Sequence, residues 1–177
     1  MPPLSNEQKI RLGPCFKAFE MNDEKKAKGY RPGDGEIERE FIQHLIHDAV
    51  DDGRPTESYV EVSKEEVDTV IKLDGRLPEK SFLWIIDEYS IKFVREKTRN
   101  PGRTSKPDFV CHTNLTGDGV ARAGGEMYFG DDGKIYVNPF SDRYGRKGAS
   151  WDTVLEYFRS VWEEEVVDIL ELMDSNK

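Results

Sequence analysis

Three side chains suited to acid/base chemistry on a phosphate lie in the second half of the sequence: His112, Glu126 and Arg143. An imidazole changes its charge near neutral pH, so His112 can act as a general acid or base. Glu126 begins a predicted strand and can pair with His112 across a sheet. Arg143 offers a planar fork that suits phosphate or carboxylate. This combination is the chemistry of metal-independent phosphodiester cleavage, in which the arginine neutralises developing charge.

Further polar groups surround these three in the sequence. Tyr144 is a fourth candidate catalytic residue. The candidate ligand-binding residues are Asn114, Thr116, Gly124, Gly125, Asn138 and Ser141. The glycine pair gives the backbone freedom for close approach of a ligand, and its amides can cradle an anion.

A structural interpretation of the same residues stays open. His112 is then a hydrogen-bonded strand residue, Glu126 a charge at a strand edge, and Gly124 with Gly125 a bulge. Residues 141–144 then form a turn that orients the last helix.

A second cluster has the residue types of a metal site. Glu40, His44 and His47 share one face of a predicted helix, and two histidines with a carboxylate suit zinc or iron. Both histidines flank the apolar stripe of that helix, and no further ligand motif accompanies them. The sequence therefore predicts neither a metal nor a cofactor.

The formal net charge of −9 argues against extended binding to duplex DNA, which needs many cationic contacts to phosphates. One segment has the opposite sign. Its seven basic residues are Lys92, Arg95, Lys97, Arg99, Arg103, Lys106 and Arg122, against three acids. Such a patch suits a compact anionic ligand, and a solvated loop with cations for solubility is the alternative.

Length and composition indicate one globular domain. The chain has 177 residues, of which 36% are hydrophobic and 34% charged. Cys15 and Cys111 have no metal-ligand spacing, so free thiols in a reducing compartment are expected. With no apolar leader and no run of membrane-spanning length, the sequence predicts a cytoplasmic protein.

The part up to residue 77 is predicted to be mainly helical. Ser5 or Asn6 caps a short first helix with a break at Pro14. Residues 22–35 form a loop, and a second helix covers 36–51, where apolar residues recur at helical spacing. Ser63 and Glu66 form a capping box at the start of a third helix.

Residues 78–177 are predicted to form a sheet and a covering helix. The strands are Phe82–Ile86, Ile91–Arg95, Phe109–Asn114, Glu126–Phe129 and Lys134–Asn138, the last two joined by a hairpin at 130–133. Ser150 caps an amphipathic helix whose apolar stripe continues to Leu170. An antiparallel meander of about five strands with a covering helix is an α+β fold in a single domain, 1–177.

Residues 80–160 resemble a group of bacterial proteins of unassigned function. The segments that carry the resemblance are His-Thr-Asn-Leu-Thr-Gly at 112–117, Ala-Gly-Gly-Glu-Met-Tyr-Phe at 123–129, and Ile-Tyr-Val-Asn with Ser-Asp-Arg-Tyr at 135–144. The group has Gly where this chain has Asp142. The resemblance implies a shared module and supplies no activity.

Two functions are therefore expected. The first is an enzyme or effector that acts on an anionic nucleotide or RNA phosphodiester through His112, Glu126 and Arg143. The second is a non-catalytic binding protein, either an inhibitor or immunity-type partner using an acidic helical face, or a protein that sequesters a nucleotide in the central pocket. Neither function involves a membrane.

Overall fold

The computed structural model of the protein describes residues 3–19, 43–52, 61–73, 77, 79–98, 108–117, 119–141, 143–145 and 150–177. The helices are α1 (Asn6–Leu12), α2 (Lys64–Leu73), α3 (His112–Thr116), α4 (Trp151–Val161) and α5 (Ile169–Ser175), with a 3₁₀ turn at Gln43–Leu45. The strands are β1 (Phe16–Lys17), β2 (His47–Asp48), β3 (Phe82–Ile86), β4 (Ile91–Arg95), β5 (Lys97–Thr98), β6 (Asp108–Phe109), β7 (Val120–Ala121), β8 (Ala123–Phe129), β9 (Ile135–Asn138) and β10 (Val166–Asp168).

A six-stranded, mostly antiparallel sheet in the order β10-β9-β8-β3-β4-β2 organises the molecule. Only β10 runs parallel to its neighbour β9. The predicted α+β class is confirmed. The strand order differs from a simple meander, because β8 returns to pair with β3 and leaves β4 beside the short strand β2.

One face of the sheet, here called the helix face, carries the main apolar core. Side chains alternate between faces along a strand, which places Phe82, Trp84 and Phe129 on this side with the rest of the main core. Helix α4 covers it, as predicted for the amphipathic helix. The ring centroids of Trp84 and Phe158 are 5.0 Å apart in an edge-to-face arrangement, so the helix is fixed by aromatic packing.

The opposite face, here called the divided face, carries two separate apolar clusters. One contains Leu83, Ile85, Val94, Val110, Leu115, Ala121 and Tyr144. The other contains Val62, Val67, Val70, Ile71, Tyr128, Tyr136 and Ile169, with α2 and α5 contributing the covering side chains. Along β8 the divided face reads Gly124, Glu126, Tyr128, so Glu126 stands between the two clusters.

Several local predictions are confirmed by the structure. Ser5 caps α1 with a full capping box, and Gly13 ends that helix ahead of Pro14. Ser63 and Glu66 form the predicted reciprocal cap of α2, with N–O distances of 2.8 and 3.2 Å. Ser150 caps α4, and β8 and β9 form the predicted hairpin, in which Gly133 has a φ of +83°.

The predicted helix over residues 36–51 is wrong where the structure describes it. Residues 43–45 form a 3₁₀ turn and His47–Asp48 is strand β2, paired with Lys92 and Phe93 of β4. Pairing with a neighbouring strand overrides the helical spacing of the apolar residues. The predicted loop over residues 22–35 lies outside the described residues.

The last predicted helix is also too long. Helix α4 ends at Val161, because Trp162 is extended with φ −107° and ψ 141°. Strand β10 follows with the β-branched pair Val166 and Val167, which favours a strand over a helix. Asp168 then caps α5 by accepting a hydrogen bond from the Leu170 amide. No helix in the described ranges has the length and apolar character needed to cross a membrane.

Candidate functional site

His112 is the first residue of the short helix α3, and the prediction of a strand over residues 109–114 is wrong beyond Phe109. Asn114 accepts a hydrogen bond from the Cys111 amide at 2.8 Å, which closes the first turn. Gly117 ends the helix in the left-handed conformation with a φ of +59°. Local side-chain hydrogen bonding and the contact of His112 with strand β8 therefore favour a helical turn over a strand at this point.

The imidazole of His112 lies over the glycine pair of β8. Its Nε2 is 2.8 Å from the carbonyl oxygen of Gly125. A carbonyl oxygen can only accept, so Nε2 carries a proton, and Nδ1 is the nitrogen that accepts a proton when the ring is neutral. A Cβ atom built on Gly124 would stand 3.2 Å from Cδ2 of His112. The contact with β8 thus fixes both the position and the tautomer of the ring.

Glu126 lies on the same face of the sheet as His112. The Cβ direction of Gly124 points to His112, and Glu126 follows two residues along the strand, roughly 7 Å further. Both side chains are buried, with exposed fractions of 7% for His112 and 5% for Glu126. A buried carboxyl and a buried imidazole on one face form the centre of the candidate site.

Asn138 holds the carboxyl group of Glu126 in place. The two residues are directly opposite each other on β8 and β9. The Asn138 side-chain amide donates to Oε2 of Glu126 at 3.4 Å, and its Oδ1 accepts from the Glu126 backbone amide at 3.1 Å. The sequence named Asn138 as a ligand donor. In the structure its side chain contacts Glu126, the candidate base.

Gly124 and Gly125 are regular residues of β8 and form no bulge. A Cβ on Gly125 would fall 2.0 Å from the backbone oxygen of Asn138 and 2.6 Å from the ring of Trp84. The glycine pair was predicted to let a ligand approach the backbone closely. Protein groups occupy that space instead, with His112 on one face of the strand and Trp84 on the other. Their amides belong to a paired strand, so an anion cradle at this point is not supported.

Tyr144 connects the turn after β9 to α3. Its ring is fully buried, and its hydroxyl donates to the carbonyl oxygen of Gly119 at 2.9 Å and lies 2.8 Å from Oγ1 of Thr116. Ser141 accepts from the backbone amides of Arg143 and Tyr144. These contacts give Tyr144, Thr116 and Ser141 a positioning role in holding the turn.

Arg143, the cation predicted to bind an anionic ligand, lies in the turn after β9. Its Nε and one terminal nitrogen are buried, and within the described residues neither has a hydrogen-bond partner. Its carbonyl oxygen accepts from the Phe19 amide at 2.8 Å, which fixes the backbone next to Tyr144. A buried guanidinium N–H without a partner is costly, and an anion would satisfy it.

The described cations of the predicted basic patch mostly bind other protein groups. Lys92 pairs with Asp48, and Lys97 contacts Oε1 of Glu79 at 2.5 Å. Arg95 donates to the Glu79 carbonyl oxygen, while Arg122 donates to the carbonyl oxygen of Gly13 at the end of α1. The other three cations of the segment lie outside the described residues.

The histidines proposed for a metal site are not on one helix face. His44 lies in the 3₁₀ turn, and His47 in β2 stacks on Phe93 with 5.0 Å between ring centroids. Glu40 lies outside the described residues. Across the described ranges there is no group of three His, Cys, Asp or Glu residues arranged to hold a metal ion.

A second buried glutamate among the described residues, Glu96, was not identified from the sequence. Glu96 is 1% exposed and accepts a hydrogen bond from the Ser81 hydroxyl at 2.5 Å. It follows the strand β4 at the start of a charged segment, so no sequence signal separates it from an exposed loop residue. The hydrogen bond to Ser81, at the start of a neighbouring strand, explains structurally why this carboxyl group is buried.

Comparisons with known proteins found no relative of this chain. No protein-family model matches the chain, and no match was found among curated proteins or among solved structures. The resemblance of residues 80–160 to bacterial proteins of unassigned function stays a prediction.

Proposed function

We propose that this protein is an enzyme that cleaves a phosphodiester of a nucleotide or RNA. The observation that carries the proposal is the placement of two buried titratable groups on one sheet face, with His112 over Gly124 and Glu126 two residues further along β8. Free thiols at Cys15 and Cys111 favour a reducing compartment such as the cytosol.

The contacts favour Glu126 as the base and His112 as the acid. Asn138 donates to Oε2 of Glu126 at 3.4 Å and so orients the carboxyl group. Glu126 takes the proton of the attacking hydroxyl as its oxygen bonds to phosphorus. Protonated His112 gives its Nδ1 proton to the leaving oxygen as that P–O bond breaks, since Nε2 is held by Gly125. Arg143 balances the charge on the phosphoryl oxygens.

A non-catalytic binding protein is the second candidate function. The burial of His112 and Glu126 and their bonds to protein groups favour it, because a proton-transfer pair must be reached by substrate. The exposed acidic residues Glu163, Glu165, Glu171 and Asp174 provide a surface for a basic partner in this case. Nucleotide sequestration near Arg143 without cleavage is the other form of this function.

One experiment separates these functions. The protein is incubated with 2′,3′-cyclic nucleotides, dinucleotides and single-stranded RNA while product formation and Tm are followed. The proposal predicts product formation by the wild type and a loss of about 100-fold or more in His112→Ala and in Glu126→Gln. A rise in Tm without product supports the binding function, because a ligand stabilises the folded state by mass action.

Two matched controls sharpen the result. Glu96→Gln changes a second buried glutamate, which follows strand β4, and His47→Ala changes a histidine on the edge strand β2. Both controls should retain turnover if they remain folded. Turnover that survives in His112→Ala and Glu126→Gln, or that the control Glu96→Gln abolishes equally in a folded protein, contradicts the assignment.

A further inference from the structure

The segment that follows α1 packs on the divided face of the sheet. Gly13 ends α1 with a φ of +81°, and the chain then forms the two-residue strand β1, which pairs with β7 outside the main sheet. Phe16 and Ala18 pack against the apolar cluster that contains Tyr144. Residues 13–19, here called the strap, therefore cover part of this face.

The strap contacts the neighbours of His112. The ring centroids of Phe16 and Tyr144 are 6.0 Å apart. Tyr144 and His112 both stand over Gly124, because a Cβ built there would be 3.1 Å from Cβ of Tyr144 and 3.2 Å from Cδ2 of His112. Leu115, one turn after His112 in α3, belongs to the cluster on which the strap packs. The side chains under the strap are thus those beside the imidazole.

Leu45 and Ile46 also pack on this cluster, but they belong to another part of the sheet. They precede β2, which is separated from β8 by β4 and β3. The strap instead pairs with β7, which is joined to β8 through the single residue Arg122. Of the described elements that cover this cluster, the strap is therefore the one attached next to the strand that carries the candidate site.

Few backbone bonds among the described residues hold the strap in place. Its pairing with β7 covers two residues of each strand, and the Phe19 amide donates to the carbonyl oxygen of Arg143 at 2.8 Å. At its start, Arg122 donates to the carbonyl oxygen of Gly13 and fixes the end of α1. Elements with few bonds open at a lower free energy than the core, so the strap can lift while α1 stays attached.

We propose that the strap closes the candidate site and that substrate reaches His112 and Glu126 when the strap lifts. The proposal rests on the proposed function for the chemistry of the site. It accounts for an acid/base pair that must meet substrate and yet is only 7% and 5% exposed. Because the strap bonds to the backbone of Arg143, lifting it also releases the turn that carries the cation. Access is then governed by a local opening that leaves the main core folded.

A cross-link between the strap and β7 tests the proposal. Lys17 and Val120 are exposed and directly opposite each other, and the Cα atoms of such antiparallel pairs lie about 4.5–5.5 Å apart, within the range of a disulfide. Lys17→Cys/Val120→Cys is made in a Cys15→Ser background, which removes a competing thiol. Modification of His112 by diethyl pyrocarbonate is followed by mass spectrometry of peptides, with the exposed His44 as internal reference.

The two redox forms of this protein should differ in the reactivity of His112. In the reduced form, His112 should react at more than about 1% of the His44 rate, whereas global unfolding exposes fewer than about one molecule in a thousand. The disulfide should lower this rate at least about tenfold, lower turnover of a 2′,3′-cyclic nucleotide in parallel, and release both on reduction. Equal His112 rates in the two forms, or a reduced form that reacts no faster than global unfolding allows, overturns the proposal.

Phe16→Ala tests the strap without a disulfide. Loss of this half-buried ring weakens the contact with the apolar cluster, so the rate of His112 modification should rise at least about fivefold. Lys17→Ala, at the exposed neighbour in β1, is the matched control and should leave the rate unchanged. An unchanged rate in a folded Phe16→Ala protein contradicts the proposal.

Failure of the proposed function gives a different pattern. His112 modification that depends on the cross-link, combined with no cleavage of any phosphodiester, keeps the strap and refutes only the enzyme. Cleavage and His112 modification that the cross-link leaves unchanged refute only the strap.

Discussion

The two faces of the central sheet differ in the kinds of side chain that they bury. On the helix face, α4 covers aromatic and aliphatic side chains from β3, β4, β8 and β9. On the divided face, buried Glu126, Asn138 and His112 lie beside two apolar clusters that do not merge. Apolar burial stabilises a fold directly, whereas a buried carboxyl or imidazole costs free energy unless it is fully hydrogen-bonded. Under the proposed function, the helix face serves folding and the divided face carries the acid/base pair.

The largest effect on stability is expected from the helix face. Phe158→Ala removes a fully buried ring that contacts Trp84 and Trp162, so the free energy of unfolding should fall by about 3–5 kcal/mol. Urea denaturation followed by tryptophan fluorescence measures it. Ile10→Ala, at a residue 81% exposed, should change it by less than about 0.5 kcal/mol. A loss below about 1 kcal/mol for Phe158→Ala would show that α4 does not hold this face together.

Substitutions of the two glycines should show how tightly each face of the sheet is packed. Gly125→Ala forces a Cβ against the Asn138 backbone and the Trp84 ring, and it should cost about 3 kcal/mol or more. Gly124→Ala meets His112 and Tyr144 at 3.1 to 3.2 Å and should cost about 1–2 kcal/mol. Denaturation curves of the two variants test the order. Equal losses would mean that the divided face is packed as tightly as the helix face.

A smaller effect is expected at the hydroxyl of Tyr144. Tyr144→Phe removes the bonds to Gly119 and Thr116 but keeps the ring, so stability should fall by about 1 kcal/mol. Because the hydroxyl positions the turn, turnover should change less than in Glu126→Gln. Turnover as low as that of Glu126→Gln, with stability unchanged, would give Tyr144 a catalytic role and refute the positioning role.

The smallest effect is expected on stability at acid pH, through helix α2, which covers part of the divided face. A hydrogen bond from Lys80 holds the pKa of Glu66 below its usual value of 4.5, and the Ser63 backbone amide adds to this. A depressed carboxyl pKa gives stability that is present above pH 4.5 and is lost as pH falls through the lower folded pKa. Glu66→Gln should therefore flatten the acid limb of stability against pH. An identical acid limb in both proteins would exclude this contribution.

Sequence patterns were sufficient where the deciding signals are local. Continuous apolar residues identified β3, alternation identified β4, and capping residues marked the starts of α1, α2 and α4. They failed for α3 and β10, whose conformations depend on partners distant in the chain. His112 contacts Gly125, 13 residues away, and β10 exists because it pairs with β9.

The candidate site shows the same division. Residue types identified His112, Glu126 and Arg143 as chemically capable groups. The shared sheet face, the tautomer of His112 and the contact of Asn138 with Glu126 arise from strand register and turn geometry, which composition does not encode.

A double-mutant cycle on turnover of a phosphodiester tests the central claim most directly. If His112 and Glu126 act as one acid/base unit, the double variant His112→Ala/Glu126→Gln should be about as slow as the slower single variant, because residues that act together are not additive. Glu96→Gln combined with His112→Ala should instead show only the loss due to His112. Losses that multiply in the His112/Glu126 cycle, or wild-type turnover in either single variant, would contradict the account.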